Sequence, residues 1–97
     1  MGISGKSRIV IYGAGNAGRD FFVQLIRKGD TEIVAWVDKN YENIGFPVQN
    51  PDLLLKINYD LVVIAISDNR TAGSIKRELL DIGIPKEKIF YKRPETL

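Results

Sequence analysis

The sequence predicts an α/β domain: a small parallel sheet with helices on both faces. Three observations carry that prediction. Apolar, β-branched runs alternate in order with segments of helical periodicity. The connections between them are short. The strand-like runs at 8–12 and 60–67 are continuously apolar at their centres, the pattern of strands buried on both faces.

The elements follow in chain order. "RIVIY" at 8–12 is the first strand. Over 16–28 the residues Ala17, Phe21, Phe22, Leu25 and Ile26 recur at helical spacing, and Gly29 supplies a stop. "EIVAWVD" at 32–38 is the second strand, followed by a polar turn, "KNYEN", at 39–43. Asn50, Pro51 and Asp52 open a short helix with a side-chain cap, a proline at the first position and an acid in the first turn. It ends near Ile57 and Asn58. "DLVVIAIS" at 60–67 is the third strand. Asp68 and Asn69 then cap a helix whose stripe is Ala72, Ile75, Leu79 and Ile82, ended by Gly83 and Pro85. "KIFYK" at 88–92 closes the set as a final strand. Trp36 and the phenylalanines of the first helix read as core. Right-handed crossovers between these elements place the first strand centrally in a sheet of about four to five strands, a three-layer Rossmann-like arrangement. Residues 1–7 read as a disordered lead-in or tag remnant and 8–97 as one domain.

Composition narrows the function. The 97 residues suffice for a single core, and the net charge of +2 comes from lysines and arginines scattered along the chain. Nucleic acid is therefore not the expected partner, since no basic stripe is interleaved with aromatics. The chain has no cysteine and no histidine. Disulfides, thiolate metal sites and the commonest general base are excluded. There is no Ser/His/Asp set, no Tyr-x-x-x-Lys pair and no metal-ligand cluster, so no catalytic residue is assigned. No apolar run approaches the roughly 20 residues that span a bilayer, and 1–8 lacks the apolar centre of a leader, so a cytoplasmic domain is expected. "GISGKS" at 2–7 has too short a gap between Gly2 and Gly5 for a P-loop, and no strand precedes it.

"GAGNAG" at 13–18 carries the functional signal. It leaves a strand directly and opens a helix, the setting in which such a string cradles a diphosphate. Gly13 turns the chain, Gly15 clears the approach of a phosphate, and Gly18 lets the helix pack close. Ala14, Asn16 and Ala17 complete the turn, whose amides and helix dipole favour an anion, and Arg19 adds a cation. Asp38 ends the second strand 20 residues after Gly18, the spacing of an acid that accepts from an adenosine ribose. Such a carboxylate repels a 2′-phosphate, so NAD stands ahead of NADP, and Lys39 weakens the preference. CoA and UDP-sugars also use such turns. Ser67 and Asp68 leave the third strand, where they could contact a far ribose or a substrate, but Asp68 and Asn69 read first as ordinary helix caps. Tyr41 is placed to lie beside an adenine. Turn geometry and packing alone remain an alternative for the three glycines, with Asp38 capping its own turn.

The strings "VIYGAGNAGRDF", "VAWVDKN", "IGFPV", "YDLVVIAIS" and "LLDIGIPKEKIF" together resemble CoA-binding-like nucleotide-binding domains of bacterial polysaccharide biosynthesis. Those domains precede the catalytic parts of nucleotide-sugar epimerase/dehydratases and polyprenyl-phosphate sugar transferases, and a similar arrangement opens amino-sugar acyltransferases. The resemblance runs from Arg8 to Tyr91. It implies a phosphate turn at Gly13, Gly15 and Gly18, a ribose contact at Asp38, and a catalytic domain of the same parent as partner. Three functions are therefore open. One is a non-catalytic module binding a nucleotide, NAD first. Another is the sugar-nucleotide-binding part of an oxidoreductase, epimerase or acyltransferase. The third is a module that has lost its ligand and forms a homodimer through an uncovered sheet edge.

Overall fold

A computed structural model describes residues 7–92; residues 1–6, with nearly all of the "GISGKS" lead-in, and 93–97 lie outside the described residues. Four strands, β1 (Ser7–Tyr12), β2 (Thr31–Val37), β3 (Leu61–Ile64) and β4 (Ile89–Tyr91), form an all-parallel sheet in the order β2-β1-β3-β4. β1 is thus an interior strand, as expected. The helices are α1 (Asn16–Lys28), α2 (Tyr41–Ile44) and α3 (Asn69–Asp81), with 3-10 turns at Pro51–Leu55 and Lys86–Lys88. Among the described residues, no helix is long and apolar enough to cross a membrane.

The third strand, expected over 60–67, ends at Ile64, and two connecting segments also differ from expectation. The polar turn after β2 contains the single helical turn α2. The segment after Asn50 keeps its expected cap, the Asn50 side chain accepting from the Asp52 amide at 2.9 Å, yet it winds as a 3-10 turn. The Lys56 amide bonds the Leu53 carbonyl three residues back, and the winding ends at Leu55 rather than near Ile57.

Strand alternation sorts the core onto the two faces of the sheet. Val10, Tyr12, Val62 and Ile64 pack with Ala72, Ile75 and Leu79 of α3 and with Leu54 of the 3-10 turn. Ile9, Ile11 and Val63 pack with Leu25, Phe21 and Phe22 of α1. Strands buried on both sides need apolar residues at every position, which is why 9–12 and 61–64 read as unbroken runs. Ile26 flanks this line and is exposed. Ile82, expected to continue the α3 stripe, is also exposed. The helix ends at Asp81, the chain reverses at Gly83, and Ile84 turns back into the core with its amide on the Leu79 carbonyl at 3.0 Å.

A β-bulge shapes the edge of the sheet. Ile9 pairs with Ile33 but Val10 pairs with Ala35, so Val34 is an extra residue in β2. From there on every β2 side chain changes face. Trp36 consequently lies opposite Ile11, on the side of α1, and its ring stacks on Phe22 with centroids 4.7 Å apart.

The exchange of Ile82 for Ile84 in the core has a direct consequence. Ile84→Ala is expected to cost about 2–4 kcal/mol in urea denaturation, the range for a truncated core isoleucine. Ile82→Ala is expected to cost less than about 1 kcal/mol. Equal losses for the two variants would contradict this assignment.

Candidate functional site

The glycine turn lies between β1 and α1, at the carboxyl edge of the sheet. Its three glycines are there for different reasons. Gly13 has φ +123°, and a side chain on it would press its Cβ to 2.7 Å from the Ala65 carbonyl oxygen. At Gly18 a Cβ would fall on the Gly13 carbonyl, so α1 rests directly on the turn. Gly15, by contrast, has φ −81° and ψ −161°, extended backbone open to any residue, and a Cβ there would meet nothing within 4 Å.

Hydrogen bonds from the end of β2 clamp this turn. The Gly13 amide donates to the Val37 carbonyl at 2.8 Å. The Trp36 indole Nε1 donates to the Gly13 carbonyl at 2.7 Å. The Ala14 amide donates to Asp38 Oδ2 at 2.8 Å, while Asp38 Oδ1 accepts from the Asn40 amide at 2.8 Å. Asp38 therefore does cap its own turn, and it also braces the glycine turn. Each of its oxygens keeps a second acceptor position.

The two long helices begin differently. The Asp68 carboxylate caps α3, accepting from the Arg70 and Thr71 amides at 3.3 Å and from the Thr71 hydroxyl at 2.6 Å. The Thr71 hydroxyl, followed by the Arg70 amide, holds its carboxyl below the ordinary carboxylate value. At the start of α1 Gly15 stands in the cap position, and no side chain caps the helix. Gly15, Asn16 and Ala17, at the start of α1, line a cleft of ≈ 280 Å³.

Seven of the residues singled out from the sequence border that cleft: Gly13, Gly15, Asn16, Ala17, Asp38, Lys39 and Ser67. Gly18 is buried against the turn. Ala14 and Arg19 border a different cleft, of ≈ 380 Å³, with Phe22, Trp36 and the exposed Phe46. Arg19 is therefore not brought to the glycine-turn cleft, because its place in the first turn of α1 faces the other way. Tyr12, Thr71 and Ile75 also line the glycine-turn cleft and were not legible as site residues. The signal for Tyr12 was its place immediately before Gly13, which a reading of 8–12 as core obscured.

Tyr41 borders an adjoining cleft of ≈ 260 Å³, with Asn50, Pro51 and Leu79, and its hydroxyl accepts from Asn50 Nδ2 at 3.0 Å. Tyr12 and Lys39 border both clefts. Lys39 Nζ also bonds Glu78 Oε2 of α3 at 2.7 Å, an exposed pair. Burial, then the charges of Glu78 and Asp38, push the Tyr12 phenol up to about 12.

The family model described as C2185-like, N-terminal, matches residues 5–90, nearly the whole chain. No curated protein matches it.

The clamp and the buried phenol each predict a measurable effect. Trp36→Phe keeps the stack on Phe22 but removes the donor to Gly13, so it should lose about 1–2 kcal/mol of stability in chemical denaturation. The folded protein keeps Tyr12 neutral up to about pH 12, whereas the unfolded chain ionises it near 10.0. Stability from this group is thus intact below pH 10.0 and is lost as pH rises through about 12. Tyr12→Phe should flatten this alkaline limb in unfolding measured by circular dichroism. Burial raises Tyr59 in the same direction, so part of the slope should remain.

Proposed function

The chain belongs to the C2185-like N-terminal family, and we propose that it is a three-layer Rossmann-like module that binds a nucleotide, NAD first, by its diphosphate. Gly15 is the observation that carries this reading. Gly13 and Gly18 are demanded by the packing of the chain itself, whereas Gly15 is not. Its backbone would accept Ser, Asp or Asn, any of which would cap α1. A glycine there leaves the first amides of the helix open to the cleft and clears the space in front of them. Oxygens of a diphosphate fit such amides, and the helix dipole favours their charge.

The remaining donor set fits the same group. Asp38 has acceptor positions left for ribose hydroxyls, and its charge disfavours a 2′-phosphate. Arg19 faces elsewhere and Lys39 is held by Glu78, which leaves that end of the cleft without an unbridged cation among the described residues. Both features favour NAD over NADP. CoA and UDP-sugars present the same diphosphate and are the alternatives within this reading.

In this reading the module's part is to bind its ligand, and no catalytic residue is assigned to it. The resemblance to domains of polysaccharide and nucleotide-sugar biosynthesis assigns chemistry to a catalytic domain of the same parent and a cytoplasmic setting to the module.

Titration with NADH, NADPH, CoA and a UDP-sugar, read by Trp36 fluorescence and thermal shift, tests this. NADH is expected to bind most tightly. Gly15→Val is expected to abolish binding while leaving the melting temperature within a few degrees, because the position has room for a side chain. Asp38→Asn is expected to relax the discrimination against NADPH. A wild-type chain that responds to none of the four, or a Gly15→Val chain that binds as well as wild type, would sink the reading.

A further inference from the structure

Tyr12 is 3 % exposed, with its ring packed in the core beneath α3. It forms part of the wall of both clefts. Among the described residues, no donor or acceptor reaches its hydroxyl. Other polar aromatic tips are matched: Tyr41 by Asn50, Tyr91 by Asn69 at 2.7 Å, and Trp36 by Gly13. Tyr59 also lacks a partner for its hydroxyl, but it borders neither cleft. A phenylalanine would fill the core position of Tyr12 equally well. The Tyr12 ring is buried, but its hydroxyl is not among the buried polar atoms left without a partner, so it opens to the clefts, where something entering them can pair with it.

The charges around it restrict what that partner is. Asp38 and Glu78 both act on Tyr12, and one cation, Lys39, bridges to Glu78 beside it. With Asp52, which also lines the adjoining cleft, three carboxylates against one ammonium make this stretch of the wall unfavourable for a phosphate and suitable for a neutral acceptor. Beyond Tyr12 the adjoining cleft is walled by Pro51, Leu79 and Ile82, apolar surface suited to the flat face of a base. Ile82, which the reversal at Gly83 leaves outside the core, forms part of that wall.

Building on the nucleotide reading above, we propose that the Tyr12 hydroxyl hydrogen-bonds the nucleoside part of a nucleotide whose diphosphate lies on the glycine turn. The two clefts then form one trough, with phosphates at Gly15 and the nucleoside crossing Tyr12. Tyr12 is the residue that recognises the nucleoside, through a neutral ribose or base acceptor.

The test is Tyr12→Phe in the full chain, with NADH affinity measured by titration and inorganic pyrophosphate affinity by competition against NADH. The melting temperature near neutral pH should be unchanged or raised, since the hydroxyl has no partner among the described residues. NADH affinity should fall about tenfold, the effect of one lost hydrogen bond, while pyrophosphate affinity stays as in the wild type. An unchanged NADH affinity overturns the proposal and leaves the phosphate seat standing. An equal loss of both affinities also overturns it, because the hydroxyl would then serve the phosphates or the turn. Wild-type protein that binds NADH but shows no competition by pyrophosphate, or that binds neither, overturns the nucleotide reading and this inference with it.

Discussion

The Gly13 carbonyl is the point on which the rest of the structure depends. It accepts from the Trp36 indole on one side, and Gly18 of α1 presses on it from the other. With the Gly13 amide on Val37 and the Ala14 amide on Asp38, the turn is tied to the end of β2 by three hydrogen bonds. That clamp sets where α1 begins, and with it the direction in which the first amides of α1 point. A chain with a side chain at position 18 has no room for this approach. The helix would have to stand off, and the turn would open.

The contrast between the two long helices gives the clamp its functional meaning. α3 has its first amides, those of Arg70 and Thr71, satisfied by the Asp68 carboxylate, from within the protein. α1 starts without a side-chain cap, beside a cleft, at a glycine that no internal contact requires. Helix ends left in this state are satisfied by water or by a ligand. Asp38 shows how a single residue serves both needs: it holds the turn through backbone amides and retains acceptor positions facing the cleft.

Much of the fold was legible because burial on both faces writes itself into composition. The apolar runs at 9–12 and 61–64 are what strands buried on both faces require, and the caps at Asn50 and Asp68 form where their side chains predict. Within the site, Gly13, Gly15, Asp38, Lys39 and Ser67 do meet at one cleft. Arg19 does not, and Tyr12, Thr71 and Ile75 join unannounced. Ile82 fits the helical stripe on spacing alone, but the reversal at Gly83 hands its place to Ile84. Spacing locates a residue on its element and is silent on what the next turn of chain will cover.

The sequence by itself determined the order of elements, the burial of the sheet on both sides, the strand-turn-helix setting of the three glycines, and the acid that ends the second strand. These are local matters, set by periodicity, caps and the backbone needs of glycine. Only the tertiary structure decided which way Trp36 faces, because the extra residue Val34 reverses every side chain after it and no pattern of apolar residues in "EIVAWVD" marks the bulge. It also decided that Lys39 meets Glu78 and that Tyr12 opens onto two clefts at once. Those contacts join residues far apart in the chain. They exist because α3 packs against β3 and β4, with Ile75 and Leu79 in the same apolar cluster as Tyr12, a placement recorded in no single stretch of sequence.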